Sequence, residues 1–193
     1  MLFPSVPQSA AQIRGFCERF NEGIRVEYKS AFDERVRKAL PKVVSSFANS
    51  LGGVLIVGVV APNGVVQTPI EGFLKPSEEL PLTVEGICIQ GINPPLFPRT
   101  TVVDSDIPGR AFLVIEVDEI WEAPHAIENS KKVYVRTGNA ANLSRLSWKW
   151  RKRSSVKITE RTYEERTKAL QRRRESSHLE AASFRQSASL GFV

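Results

Sequence analysis

Residues 46–60 read Ser46-Phe-Ala-Asn-Ser-Leu-Gly-Gly-Val-Leu-Ile-Val-Gly-Val-Val60, and they hold the junction on which the fold turns. The run from Val54 to Val60 is apolar and rich in β-branched residues, the composition of a central strand buried on both faces. Gly52-Gly53 in front of it supply the backbone freedom for a sharp turn out of a helix. That helix is legible upstream. Asp33 can cap it, and Val36, Leu40, Val43, Val44 and Phe47 recur at three- and four-residue steps, which predicts a helix over 34–50. Pro41 stands inside it and predicts a kink or a late helix start.

Nearer the N-terminus, residues 9–20 suit a helix, with Ser9 as cap and Ile13, Phe16, Cys17 and Phe20 on one face. Residues 25–28 alternate like a short strand. Pro62-Asn63-Gly64 is a turn signal, so Val65-Val66-Gln67 is expected to return as a hairpin partner. Residues 77–92 read as a helix weakened by Pro81 and Gly86 and ended by Asn93-Pro94-Pro95. Strands follow at 97–104 and 111–118, and a last one at 132–136 precedes the Thr137-Gly138-Asn139 turn. The fold class expected is α/β (α+β): a mixed, mostly antiparallel sheet of five or six strands with helices on one face.

Hydrophobic content of 41% and charged content of 25% are ordinary for a soluble domain. The longest apolar run, Gly52 to Ala61, is strand-sized, and the N-terminus has no charged-then-apolar leader, so an intracellular, cytoplasmic location without membrane contact is expected. Cys17 and Cys88 lack metal-ligand spacing, which argues for two free thiols rather than a zinc site or disulfide framework. No Gly-x4-Gly-Lys-Ser/Thr segment occurs. Charge is divided unevenly: residues 1–144 hold 14 Lys/Arg and 16 Asp/Glu, net −2, whereas residues 145–193 hold 13 and 5, net +8. A domain over 1–146 followed by a basic extension over 147–193, helical or disordered, is the expected organisation. The extension opens with Trp148-Lys149-Trp150-Arg151-Lys152-Arg153, where aromatic rings can stack on bases while cations meet phosphates; packing of a Trp on the domain is the competing reading.

Four segments in order resemble the Schlafen-type AlbA family. Glu22-Gly-Ile-Arg-Val-Glu27-Tyr28-Lys29 is similar to its Glu-x4-Glu-Phe-Lys signature, and Ser46 to Val59 to its helix–Gly-Gly–strand core. Ile92-Asn93-Pro94-Pro95 is similar to its helix end, and Val133-Tyr134-Val135-Arg136-Thr137-Gly138-Asn139 to its terminal strand.

The resemblance implies binding of nucleic acid, RNA or DNA, with Arg25, Lys29 and Arg136 on one face and Lys149, Arg151, Lys152 and Arg153 from the extension touching phosphates. It also implies an alternative, a metal-dependent endoribonuclease acting on tRNA-like RNA. There Glu22 and Glu27 hold Mg²⁺ or Mn²⁺ with a third carboxylate, and Lys29 neutralises developing charge. The third position falls on Val60, which cannot ligate a cation, so catalysis is not the favoured reading unless Glu116 or Asp118 substitutes. Arg136 has a second reading, an ion pair with Glu27 or Glu116. Gly52-Gly53 admit either a phosphate or another backbone. His125 either contacts nucleic acid or is solvent-exposed. Tandem lobes in animal relatives imply a homodimer for a single lobe. A third functional class, a protein-interaction module whose basic extension docks on an acidic partner, stays open.

Overall fold

A computed structural model describes residues 5–120 and 124–144. In chain order the elements are α1 (Ala10–Arg19), β1 (Val26–Lys29), α2 (Glu34–Ala48), β2 (Gly53–Val57), β3 (Phe73–Leu74), α3 (Leu80–Gly91), β4 (Ile92–Asn93), β5 (Arg99–Asp104), β6 (Arg110–Val117), β7 (Ala126–Ile127), β8 (Tyr134–Thr137) and β9 (Ala140–Leu143). The mixed α+β class is as expected from sequence.

Both early helices start where side-chain caps say they should. Ser9 accepts the Gln12 amide at 3.3 Å, and Asp33 accepts the Val36 amide at 2.9 Å, each relieving an orphan donor. The expected late start of α2 at Pro41 is corrected, since the helix runs from Glu34 through Pro41 to Ala48. Burying Leu40, Val43, Val44 and Phe47 stabilises by roughly 1.5–3 kcal/mol each, more than the ~3 kcal/mol that one internal proline costs. In α3 the proline is harmless, because the helix begins at Leu80 and Pro81 occupies the first turn.

The main sheet has five strands. β1 pairs with β2 in parallel, and β2 pairs with β6 antiparallel. Leu113 and Val114 of β6 have partners in both β2 and β5, and Ala111 has partners in both β3 and β5. A strand has two edges, so β5 lines one edge of β6, while β2 and then β3 line the other. Two short ladders, β4–β7 and β8–β9, complete the described residues.

Alternate residues of β2 and β6 divide between two cores, as the period of two demands. Leu55, Val57, Leu113, Ile115 and Val117 face α2 and α3. Val54, Ile56, Phe112 and Val114 face α1, meeting Ile13, Phe16 and Cys17. The expectation of helices on one face therefore holds for α2 and α3 and is corrected for α1, which covers the other. The expected hairpin at Val65–Gln67 is also corrected. Pro62–Gly64 form a 3₁₀ turn, and β2 finds its antiparallel partner in β6 instead. Cys17 and Cys88 are free and buried, and burial pushes their thiols up to about 11 and about 12, so both are packing groups. Among the described residues no helix is long and apolar enough to cross a membrane.

Candidate nucleic-acid interface

The Gly52-Gly53 turn explains how β1 and the chain's late residues come together. Gly52 has φ +66°, and a methyl there would lie 2.7 Å from the Val117 carbonyl oxygen. A methyl on Gly53 would lie 2.4 Å from the Phe47 ring and 2.6 Å from the Arg25 carbonyl oxygen. Of the two sequence readings of this pair, close approach of protein backbone accounts for both glycines. Asn49, the C-cap of α2, then binds two loop strands at once. Its amide donates to the carbonyls of His125 (2.8 Å) and Tyr134 (3.0 Å), and its oxygen accepts the His125 amide at 2.7 Å. His125 is itself buried, with Nδ1 2.7 Å from the Pro94 carbonyl oxygen, which corrects both its solvent-exposed and its ligand-contacting readings.

Held by this clamp, β8 delivers Arg136 to β1. The guanidinium reaches Glu27 Oε2 at 2.6 Å and donates to the Gly23 carbonyl at 2.6 Å. It also lies 4.6 Å from the centroid of the Phe47 ring. Its side chain is 1% exposed, so the expectation that Arg136 touches phosphate is corrected, and the ion pair with Glu27 is the arrangement found. Lys29 Nζ binds the other Glu27 oxygen at 2.6 Å.

Glu22 bonds the Tyr28 amide at 3.0 Å. Burial raises its carboxyl above the ordinary glutamate range, against the opposing pull of the Tyr28 amide. The Glu27 charge adds to the rise, and Lys29 and Arg136 oppose it. The folded state thus holds that proton more tightly than the unfolded state does. Stability from this group falls as pH rises from the ordinary glutamate pKa through the raised one. Glu22→Gln is expected to flatten the stability–pH curve in that interval, measured by urea midpoints; superimposable curves would refute it.

The fit of Glu22 and Glu27 to a divalent cation is poor. Both Glu27 oxygens already carry cationic partners. Val60, 48% exposed, stands at the position where the family resemblance places a third carboxylate. Register excludes Glu116 as a substitute: Glu27 lies beside Leu55 and then Ile115, so Glu116 points to the opposite face. Glu116 and Asp118 both bind Arg99, at 2.7 and 3.0 Å. Among the described residues no group of three or more His, Cys, Asp or Glu side chains could hold a metal.

Sequence reasoning overlooked a different cationic feature. Arg35, Lys38 and Lys42 are exposed on α2 at i, i+3 and i+7, one face of the helix. Lys42 Nζ lies 4.9 Å from the centroid of the Tyr134 ring, and exposed Lys132 precedes β8. Lys38 pairs with Glu34 at 3.3 Å, an exposed ion pair worth little. The signal was present as cations spaced along the outer side of an amphipathic helix. Arg25 and Lys29 are half-buried, and Lys149, Arg151, Lys152 and Arg153 lie outside the described residues.

The model of the family described as Schlafen, AlbA_2 matches residues 22–143, more than half the chain. The chain belongs to that family. Its span begins at Glu22 and takes in β1, the Gly-Gly turn and the Arg136 strand, the same segments that build the buried cluster. Among solved structures, this Schlafen AlbA_2 domain is similar to the DIP2311 protein of Corynebacterium diphtheriae, at 18% identity and a TM-score of 0.48. That match covers 69% of this chain and 29% of the other, so the chain spans under a third of that protein. It is also similar to the N-terminal domain of a Nitrosomonas europaea protein described as related to the ATP-dependent DNA helicase RecG. There the identity is 25% and the TM-score 0.40, with 58% of this chain and 74% of that one covered. No curated protein matches.

Proposed function

We propose that this protein binds nucleic acid, RNA or DNA, through its phosphates. The outer face of α2 supplies Arg35, Lys38 and Lys42, the half-exposed Arg25 and Lys29 assist, and the basic run Lys149, Arg151, Lys152 and Arg153 adds to them. The observation that carries the reading is the α2 row itself, three exposed cations on one helix face with an aromatic ring beside the last. Membership in the Schlafen AlbA_2 family supports it. Hydrolysis has less behind it, because Glu27 is already neutralised by Lys29 and Arg136.

Fluorescence anisotropy with single-stranded DNA, duplex DNA and tRNA over a salt series tests this. Affinity is expected to fall steeply with salt. Arg35→Ala/Lys38→Ala/Lys42→Ala is expected to reduce the log–log slope on duplex by about 0.9 for each phosphate left without its cation. Replacing the four basic residues of 149–153 with alanine is expected to reduce it further. A slope unchanged in both variants places binding elsewhere. Incubation with tRNA and Mn²⁺ separates binding from cleavage: hydrolysis abolished by Glu22→Ala and Glu27→Ala overturns the binding-only reading.

A further inference from the structure

β1 and β2 run parallel with α2 as the connection between them, so the carboxyl ends of both strands and the amino end of α2 meet at one end of the sheet. In open α/β sheets a crevice at this place is where ligands bind. Here it is a cavity of about 440 Å³, within the roughly 300–1,000 Å³ of small-ligand sites. Residues 30–33 line it from the end of β1, Gly58 and Val60 from the end of β2, and residues 71–74 from the side of β3. Two of these turns close on each other. Gly58 has φ +104° and Gly72 φ +83°, and a methyl on Gly58 would stand 3.0 Å from the Gly72 Cα. That part of the wall is set by backbone rather than by movable side chains.

The chemistry of the lining separates the candidate occupants. Two arginines, Arg37 and Arg110, are set against three carboxylates, Asp33, Glu71 and Glu78. All five are engaged within the chain. Asp33 caps α2 through the Val36 amide, and Arg37 forks onto Glu78. Arg110 donates to the Gly72 carbonyl at 2.9 Å and pairs with Glu71 at 3.2 Å. A phosphate entering here would meet more like than opposite charge and would have to displace a carboxylate. What the lining offers instead is a flat cation beside apolar surface. The Arg37 guanidinium stands over the Phe32 ring, 4.8 Å from its centroid, and the Glu78 fork holds its plane. Phe73 and the exposed Leu74 add apolar wall. Glu71 and Glu78, with side chains 42% and 34% exposed, have acceptor capacity beyond their arginines. A neutral planar group edged with N–H donors fits these surfaces, and a nucleobase is such a group. Cations suited to phosphates flank the cavity: Lys29 directly precedes Ser30, and the exposed Arg35 and Lys38 stand on either side of Arg37 in sequence.

We infer that this cavity seats one unpaired base of a bound single strand, stacked on Arg37 and held at its edge by Glu71 and Glu78, while the neighbouring phosphates meet Lys29, Arg35 and Lys38. The inference rests on the nucleic-acid reading above and deepens it. A duplex has no unpaired base to offer, so single strands gain a contact that duplexes lack.

Fluorescence anisotropy of the full chain with two probes of equal charge tests it: an oligothymidylate of about ten nucleotides and an abasic phosphodiester chain of the same length. The oligothymidylate is expected to bind about tenfold more tightly, the scale of one base stack. Arg37→Lys keeps the charge and loses the stacking plane, and Leu74→Gln removes apolar wall at a position 75% exposed. Each is expected to shrink the gap between the probes with an unchanged circular dichroism spectrum. Equal affinity of the unaltered protein for the two probes overturns the base site and leaves phosphate binding standing. A gap that persists in both variants places the base contact elsewhere and overturns it as well. Binding of neither probe at low salt removes this inference together with the reading beneath it.

Discussion

Arg136→Ala is expected to destabilise the domain by about 3–5 kcal/mol, the range for removing one partner of a buried ion pair. Several terms set the size. Glu27 keeps Lys29 on its other oxygen, so its charge is not wholly stranded, which pulls toward the lower figure. Against that, the Gly23 carbonyl loses a donor at 2.6 Å, and the Phe47 ring loses the cation stacked 4.6 Å from its centroid. For a domain of this length the loss corresponds to a fall in Tm of roughly 10 °C. Arg136→Lys recovers only part, since one ammonium cannot serve Glu27 and Gly23 together as the guanidinium fork does. Urea denaturation of the three proteins checks this; a loss under about 1 kcal/mol for the alanine variant, the scale of an exposed pair, refutes the assignment of Arg136 as a structural latch.

Gly53→Ala is the second large effect, about 3 kcal/mol, the upper end of what overpacking costs. The new methyl meets Phe47, which is fully buried and cannot swing away, and the Arg25 carbonyl, which is held by the Val54 amide at 2.8 Å. Neither neighbour gives without moving β1 or α2. Gly86→Ala on α3 is the control: a methyl there meets nothing within 4 Å, and alanine favours the helix by about 1 kcal/mol. Thermal melts should therefore move in opposite directions for the two substitutions, and equal shifts would discard the steric account.

Much of the architecture is legible in the residues alone. Asp33, the apolar steps of α2 and the β2 run are local signals with local causes, and the chain obeys them. The misses have a common origin in information that no short window carries. A four-residue apolar stripe on α1 says that one side is buried but not which face of the sheet it meets. Val65–Gln67 has strand composition, yet β6, almost 50 residues later, supplies a longer partner. Ala140–Leu143 has no alternation to announce it and is a strand only because β8 lies beside it. At the candidate site, the spacing of Glu22, Glu27 and Lys29 was plain, but Arg136 arrives from the far end of the domain and changes what they do.

The Arg136–Glu27 ion pair joins positions 109 residues apart, and the later one completes the earlier strand. A ribosome adding about 5–20 residues per second makes β1 roughly 5–20 s before it makes the arginine that finishes it. Through that interval Glu22, Glu27 and Lys29 are all in the nascent chain, while the guanidinium that joins Glu27 to the Gly23 carbonyl is still unsynthesised. The buried cluster therefore closes late in synthesis, once residue 136 has been added.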